Sequence, residues 1–343
     1  MKKLQATEYM YASARIRAME NRLVGRERID VLVEARSSED VMNKLAEYGI
    51  SPTEEEGSAR VLGEAVSRKR EEMLLSLLKT AYDEVSASVP EPAVYAWFRY
   101  PYDCNNIKAV IKCQIRGIDP SELLFDFGAV SAKATVEALT TDKYGVFPSA
   151  MAKAAAEARE AYAKSGDPQQ IDAILDKACY EDMLAAVTAS GCETMIGWVK
   201  AKVDLVNIMI ALRIIRMNRG EMGKIFMNTS LLPGGSVPHS FFEEVYDGGE
   251  EALWSGLAMG KYSRFVSAAE GTNNSLASIE KCADDHWTSL VREGAKVSFG
   301  AEVAGGYLVG VEVSVKNIRI ILAAKDAGLS SDVLRERIRE SYV

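Results

Sequence analysis

Proline is scarce in this sequence, nine in 343 residues, so few positions interrupt a helix. Histidine is scarcer still. His239 and His286 are the two present, and neither stands near a serine or cysteine in a nucleophile setting, which leaves triad chemistry unsupported. The five cysteines are odd in number and contain no C-x-x-C pair. That argues against a disulfide framework and a zinc site and predicts reduced thiols of a cytosolic protein. No run of about 18 apolar residues occurs, the usual length for crossing a bilayer; the nearest approach, VAGGYLVGVEVSV at 303–315, is interrupted by Glu312. The opening MKKLQATEYMYASARIR has no apolar stretch behind its lysines, which predicts no secretory leader. A basic excess is also missing. The net charge of −8 weighs against nonspecific binding of nucleic acid or of an anionic membrane surface.

Apolar residues make up 48% of the chain, enough for a large core, and helix punctuation is dense. Ser37-Ser38-Glu39-Asp40 opens VMNKLAEYG, with Gly49 as its stop; Ser51-Pro52 and Asp167-Pro168 pair a capping side chain with proline at a helix start. The segment MAKAAAEAREAYAKSG, ending at Gly166, consists of strong helix formers. Strand-like alternation is confined to VGVEVSV at 309–315, which runs into a helical pattern. The long loop is LLPGGSVPHS at 231–240. The fold class expected is all-α.

One helix is written three times. DCNNIKAVIKCQIRG (103–117), DLVNIMIALRIIRMNRG (204–220) and SVKNIRIILAAKDAG (314–328) align on Asn106-Ile107, Asn207-Ile208 and Asn317-Ile318. Apolar residues at offsets of three and four define one face: Ile107, Val110, Ile111 and Ile115 in the first copy, Leu205, Ile208, Leu212 and Ile215 in the second, Ile318, Ile321 and Leu322 in the third. Basic residues gather at each end, where the helix dipole favours them: Lys112 and Arg116, then Arg213, Arg216 and Arg219, then Arg319 and Lys325. Gly117, Gly220 and Gly328 suit the left-handed residue that ends a helix. A weaker fourth copy, ARIRAMENRLVG, ends at Gly25. Successive glycines lie 92, 103 and 108 residues apart. That is too long a period for a solenoid of ~20–50 residues, and it predicts three similar helical-bundle domains, 1–102, 103–203 and 204–343. Three asparagines in register predict a shared packing role, a hydrogen bond from each helix to its neighbour.

Candidate chemistry is thin. Gly256 and AMGKYS (258–263) imitate a phosphate loop, but the spacing is one residue short and Tyr262 follows Lys261 where a magnesium-binding hydroxyl is required. Asp284-Asp285-His286 could begin a metal site, yet no further carboxylate follows before Glu293. The run Arg68-Lys69-Arg70-Glu71-Glu72 mixes signs as an exposed helix face does. No catalytic residue, metal or cofactor is expected. A helical scaffold binding some other protein fits these residues as well, and a helical enzyme using Asp285 or Lys261 fits them less well.

The segments YASARIRAMENRLVGRERIDVLVEA, YDCNNIKAVIKCQIRG, VDLVNIMIALRIIRMNRG and EVSVKNIRIILAAKDAGLSSDVLRERIRESYV, in this order and at these spacings, resemble the C subunit of the prokaryotic V-type (A-type) ATP synthase, whose eukaryotic relative is the d subunit of the vacuolar ATPase. The resemblance spans essentially the whole chain and is least specific over 221–275. It implies three similar helical domains about a pseudo-threefold axis, forming a funnel. It also implies a non-catalytic rotor component on the cytoplasmic membrane face, a socket between the central stalk (its D and F subunits) and the proteolipid ring. The basic helix ends at Arg116, Arg216 and Arg319 are then expected to meet acidic groups of these partners.

Overall fold

A computed structural model describes residues 5–51, 63–217 and 220–343. The described residues contain helices and turns, with no strand among them. The sequence-predicted helix start at Pro52 and the basic residue Arg219 lie outside the described residues.

The chain opens with α1 (Met10–Met19), α2 (Arg26–Glu34), α3 (Ser38–Glu47) and α4 (Gly63–Ser86). Eight helices follow: α5 (Tyr100–Arg116), α6 (Ala132–Thr140), α7 (Ser149–Ser165), α8 (Gln169–Ser190), α9 (Glu193–Met217), α10 (Gly220–Ser230), α11 (His239–Tyr246) and α12 (Gly249–Leu257). The last are α13 (Ser263–Glu270), α14 (Leu276–Gly294), α15 (Ala301–Asp326) and α16 (Ser331–Arg337). They form two compact bodies. Among the described residues, one is continuous and runs from 93 to 267; the other joins those between 5 and 92 to 268–343, so the division falls inside α13.

In the continuous body α7 and α8 form an antiparallel hairpin. Gly166, at φ 68, ends α7, and Asp167 caps the next helix by accepting the Gln169 N–H. Ala154, Ala155 and Ala158 are buried on the facing side of α7; methyl-sized side chains let two backbones approach closely. The far side of α8 packs on α5 and α9, and α9 carries α10 and α12. The 231–238 segment is irregular, and α11 begins at His239, inside the stretch expected to be loop.

In the discontinuous body α15 is central, touching α1, α2, α3, α4, α14 and α16. Residues Val303–Val311 are buried on every side, and beyond them a strip at Glu312, Lys316, Arg319 and Ala323 opens toward solvent. This explains VGVEVSV: all of its residues except Glu312 are buried, so the stretch shows no helical polarity period, and burial overrides the modest helix cost of β-branched residues. The weak fourth copy behaves differently from the other three. α1 stops at Met19 and gives way to a 3-10 turn, while Gly25 sits at φ −73 rather than in the left-handed region. Gly25 instead permits a close approach, since a Cβ there would lie 3.0 Å from the Val343 carbonyl oxygen.

Candidate functional site

The three asparagines make one and the same contact. Asn106 Nδ2 donates to the Phe125 carbonyl (2.8 Å), and the Phe125 N–H returns a bond to Oδ1 (2.9 Å). Asn207 pairs likewise with Leu232, at 2.9 and 2.7 Å, and Asn317 with Arg339, at 3.0 and 2.9 Å. All three side chains are fully buried. A carboxamide carries the donor and acceptor of a peptide group in the same fork, so each asparagine pairs with one residue as a neighbouring β-strand would. The amide orientation is fixed, because a peptide N–H can only donate.

The expected helix-to-helix bond is therefore corrected. Phe125, Leu232 and Arg339 are in irregular segments, 19, 25 and 22 residues beyond their asparagines. Helical neighbours have their N–H and C=O groups committed within the helix, whereas irregular residues need partners supplied from elsewhere. Beside each clamp, Ile107, Ile208 and Ile318 are fully buried. Burying one such side chain is worth ~1.5–3 kcal/mol, comparable with the cost of burying an amide, so the satisfied clamp holds its place in an apolar face.

One helical turn earlier, a second tie exists in the first two copies. Asp103, also fully buried, accepts the Ala129 and Val130 N–H groups, each at 2.9 Å. Asp204 accepts the Val237 N–H at 2.9 Å and the Tyr262 hydroxyl, with Lys261 Nζ at 3.6 Å. In both, a glycine makes room: a Cβ on Gly128 would lie 2.1 Å from Asp103 Oδ1, and one on Gly235 would lie 2.2 Å from Asp204 Oδ1. The pattern is Asp-x-x-Asn in the helix and, downstream, a clamped residue followed by x-x-Gly-x-Val, as in FDFGAV (125–130) and LPGGSV (232–237). Sequence reasoning missed Asp103, Asp204, Gly128 and Gly235, although this double spacing was the available signal. In the third copy Ser314 stands in the aspartate's place and turns back to the Gly310 carbonyl of its own helix.

Burial pushes the Asp103 carboxyl up to about 6, against the lowering effect of its two N–H bonds and of nearby Arg99. Arg99 itself is held by the Phe127 carbonyl at 2.9 Å and the Gly128 carbonyl. The Tyr262 phenol is pushed well above its ordinary range, by burial first and then by its bond to Asp204. The residues of the mock phosphate loop are thus spent on holding Asp204.

The acidic pair in α14 has a comparable use. Asp284 accepts Arg339 Nε at 2.9 Å and pairs with Lys316. Asp285 accepts the Glu340 N–H at 2.6 Å and pairs with Lys281 at 2.6 Å. Both anchor the extended 338–343 segment, which Arg292 also grips through Glu340 and the Ser341 carbonyl. Tyr342 lies over Gly306 and Gly310 of α15, where a Cβ would come within 2.4 Å of its hydroxyl and 2.8 Å of its ring. Among the described residues no group of three or more His, Cys, Asp or Glu could hold a metal ion.

Of the candidate contact residues, Arg116 is exposed, with no ion-pair partner among the described residues. Arg216 is held by Glu250 in a two-pronged pair at 2.9 and 2.7 Å, and Arg319 by Glu71 in the same manner. Gly117, Gly220 and Gly328 have φ of 65, 55 and 68, with open space where a Cβ would stand. Gly117 and Gly328 close their helices, and Gly220 opens α10. Ile115, expected on the apolar face, is 40% exposed beside Arg116.

The family described as ATP synthase (C/AC39) subunit matches residues 12–337. The chain belongs to this family. All three clamps fall within the matched region apart from the Arg339 end of the third. The C subunit of the V-type sodium ATPase of Enterococcus hirae is 23% identical over 336 residues, covering 98% of this chain and 99% of its own. The C subunit of the A-type ATP synthase of Thermococcus kodakarensis is 25% identical, covering 97% and 91%. That of Methanocaldococcus jannaschii is 25% identical, covering 95% and 85%. The C/AC39 family makes this chain a component of a V/A-type rotary ATPase. No described helix is long and apolar enough to cross a membrane.

Proposed function

We propose that this chain is a non-catalytic rotor component, a socket that couples the central stalk (its D and F subunits) to the proteolipid ring on the cytoplasmic face of the membrane. The carrying observation is the clamp. The same helix-to-segment tie occurs twice in the continuous body and once in the other, which supports a body built for stiffness from one repeated plan. A connector under torque needs elements that cannot slide, and closely packed helices tied by satisfied buried polar groups resist deformation. The residues that tempt as chemistry, Lys261, Asp284 and Asp285, are committed to such ties. The proposal includes the division into three like domains, 1–102, 103–203 and 204–343, arranged about a pseudo-threefold axis.

Arg116 is the basic helix end open to a partner, while Arg216 and Arg319 first have to leave Glu250 and Glu71. The test is reconstitution. Purified chain added to membranes stripped of it should rebind and restore ATP-driven ion pumping, and Arg116→Glu should weaken rebinding severalfold with an unchanged thermal melt. Failure of the native chain to rebind or to restore pumping sinks the socket reading; unchanged rebinding by Arg116→Glu removes Arg116 from the interface.

A further inference from the structure

Two of the five cysteines meet inside the continuous body. Cys104 of α5 and Cys179 of α8 are both buried. The Cys104 thiol donates to the Leu175 carbonyl at 3.4 Å, one helical turn before Cys179. Its sulfur therefore lies against the turn that carries Cys179, and the two thiols are hydrogen-bonded to each other. We propose that Cys104 and Cys179 are a peroxide-sensitive thiol pair, which closes to a disulfide and locks α5 onto α8.

A buried thiol is ordinarily inert, because the thiolate is the nucleophile and burial disfavours it. Cys104 has two neighbours that offset this. Its Sγ lies 3.9 Å from Asp176 Oδ1, a carboxylate oxygen that accepts from the thiol. Lys108, one turn along α5, pairs with that same oxygen. Burial alone would lower the Lys108 pKa, but the anionic form of Cys104, and then Asp176, hold it raised. An ammonium thus faces the sulfur, and a carboxylate stands by for its proton. The Asp176 side chain is 46% exposed and that of Lys108 14%, so a polar seam leads from water to the sulfur. Hydrogen peroxide, small and hydrogen-bonding, suits such a seam. The Cys179 thiol is pushed well above its ordinary range, by its bond to Cys104 first and then by burial. It therefore keeps its proton and acts second.

The Cys104 thiolate attacks one peroxide oxygen and the O–O bond breaks. Hydroxide leaves and takes up the thiol proton as water, and the sulfur becomes a sulfenic acid. The Cys179 sulfur then displaces the oxygen. The S–O bond breaks, and a second water leaves with the Cys179 proton. Two thiols are oxidised to one disulfide, and one peroxide is reduced to two waters. Cys104 lies between Asp103 and Asn106, so the bridge fastens the helix that carries both ties of the first copy.

The test treats the full chain with hydrogen peroxide, blocks the remaining thiols with N-ethylmaleimide and maps nonreduced peptides by mass spectrometry. A Cys104–Cys179 linked peptide is expected. It should form roughly tenfold faster than Cys113, buried on the same helix, is oxidised, and dithiothreitol should reverse it. Cys179→Ala should stop at a Cys104 sulfenic acid that dimedone traps. Lys108→Met should slow linkage about tenfold and Lys108→Arg should restore it, with circular dichroism melts as the folding control. The linked chain should melt about 5 °C higher than the reduced one. No linked peptide, linkage through other cysteines, oxidation of Cys104 no faster than of Cys113, or a rate indifferent to Lys108→Met overturns the proposal. So does a linked chain that melts lower, since the bond then strains the two helices instead of locking them.

Discussion

At the scale of single residues, the Asn207 clamp makes the sharpest demand, because there both partners are out of water. Leu232 is 3% exposed, so Asn207→Ala strands its N–H, while its C=O keeps the bond from the His239 ring. An unsatisfied buried group costs ~1–3 kcal/mol, and the substitution should lower the unfolding free energy by about 1–3 kcal/mol in urea titration; a loss under about 0.5 kcal/mol would mean that the pair is not buried in solution. Asp103 gives a pH signature. Its carboxyl is raised from 3.8 to about 6, so the folded state binds the proton more tightly than the unfolded chain. The stability from this group is full below about pH 4, is lost as pH rises through about 6, and amounts to roughly 3 kcal/mol. Asp103→Asn removes the titration. The native chain should therefore gain stability relative to this variant as pH falls from 7.5 to 4.5, whatever the other carboxylates contribute to both. A difference that stays flat across that range would contradict the raised value.

At the scale of elements, glycines divide into two kinds that sequence does not separate. Gly117 is needed for its φ of 65, with nothing within 4 Å of a Cβ, so Gly117→Ala should cost ~1 kcal/mol. Gly128 is needed for space, because a Cβ would sit 2.1 Å from Asp103 Oδ1. Gly128→Ala should cost more, and hydrogen exchange should show the Ala129 and Val130 amides losing protection; equal effects at the two positions would refute the distinction. The helices themselves were legible. Asn106, Asn207 and Asn317 stood out because their apolar neighbours share a face, and within the Ser37-Ser38-Glu39-Asp40 run that opens a helix it is Ser37 that accepts the Asp40 N–H. What they bind was not legible. Their partners are backbone groups of Phe125, Leu232 and Arg339, chosen by tertiary placement and at unequal distances along the chain, so side-chain identity there carries no clear mark. Ile115 was misplaced because a period continues on paper to the helix end, while the protein's core stops one turn sooner.

At the scale of the whole molecule, the two bodies differ in how the chain builds them. Residues 93–267 are consecutive and carry their own core, with Ile107, Leu175 and Leu212 fully buried. Expressed alone they should melt cooperatively, as a compact domain does; a broad, noncooperative transition would show that the body depends on the rest. The other body is closed by α15, and the 338–343 segment lies against both α14 and α15, with Tyr342 seated where Gly306 and Gly310 leave room. Leu23, from the start of the chain, shares that hollow with Tyr342 at Gly310. During synthesis this has a cost in time. Helices α1–α3 emerge early, yet the helix that buries Ile16, Leu32 and Val41 is made some 260 residues after Val41. At ~5–20 residues per second on the ribosome, these side chains stay uncovered for roughly 13–50 s, an interval in which a chaperone can engage them. In the finished protein they are among its most enclosed side chains.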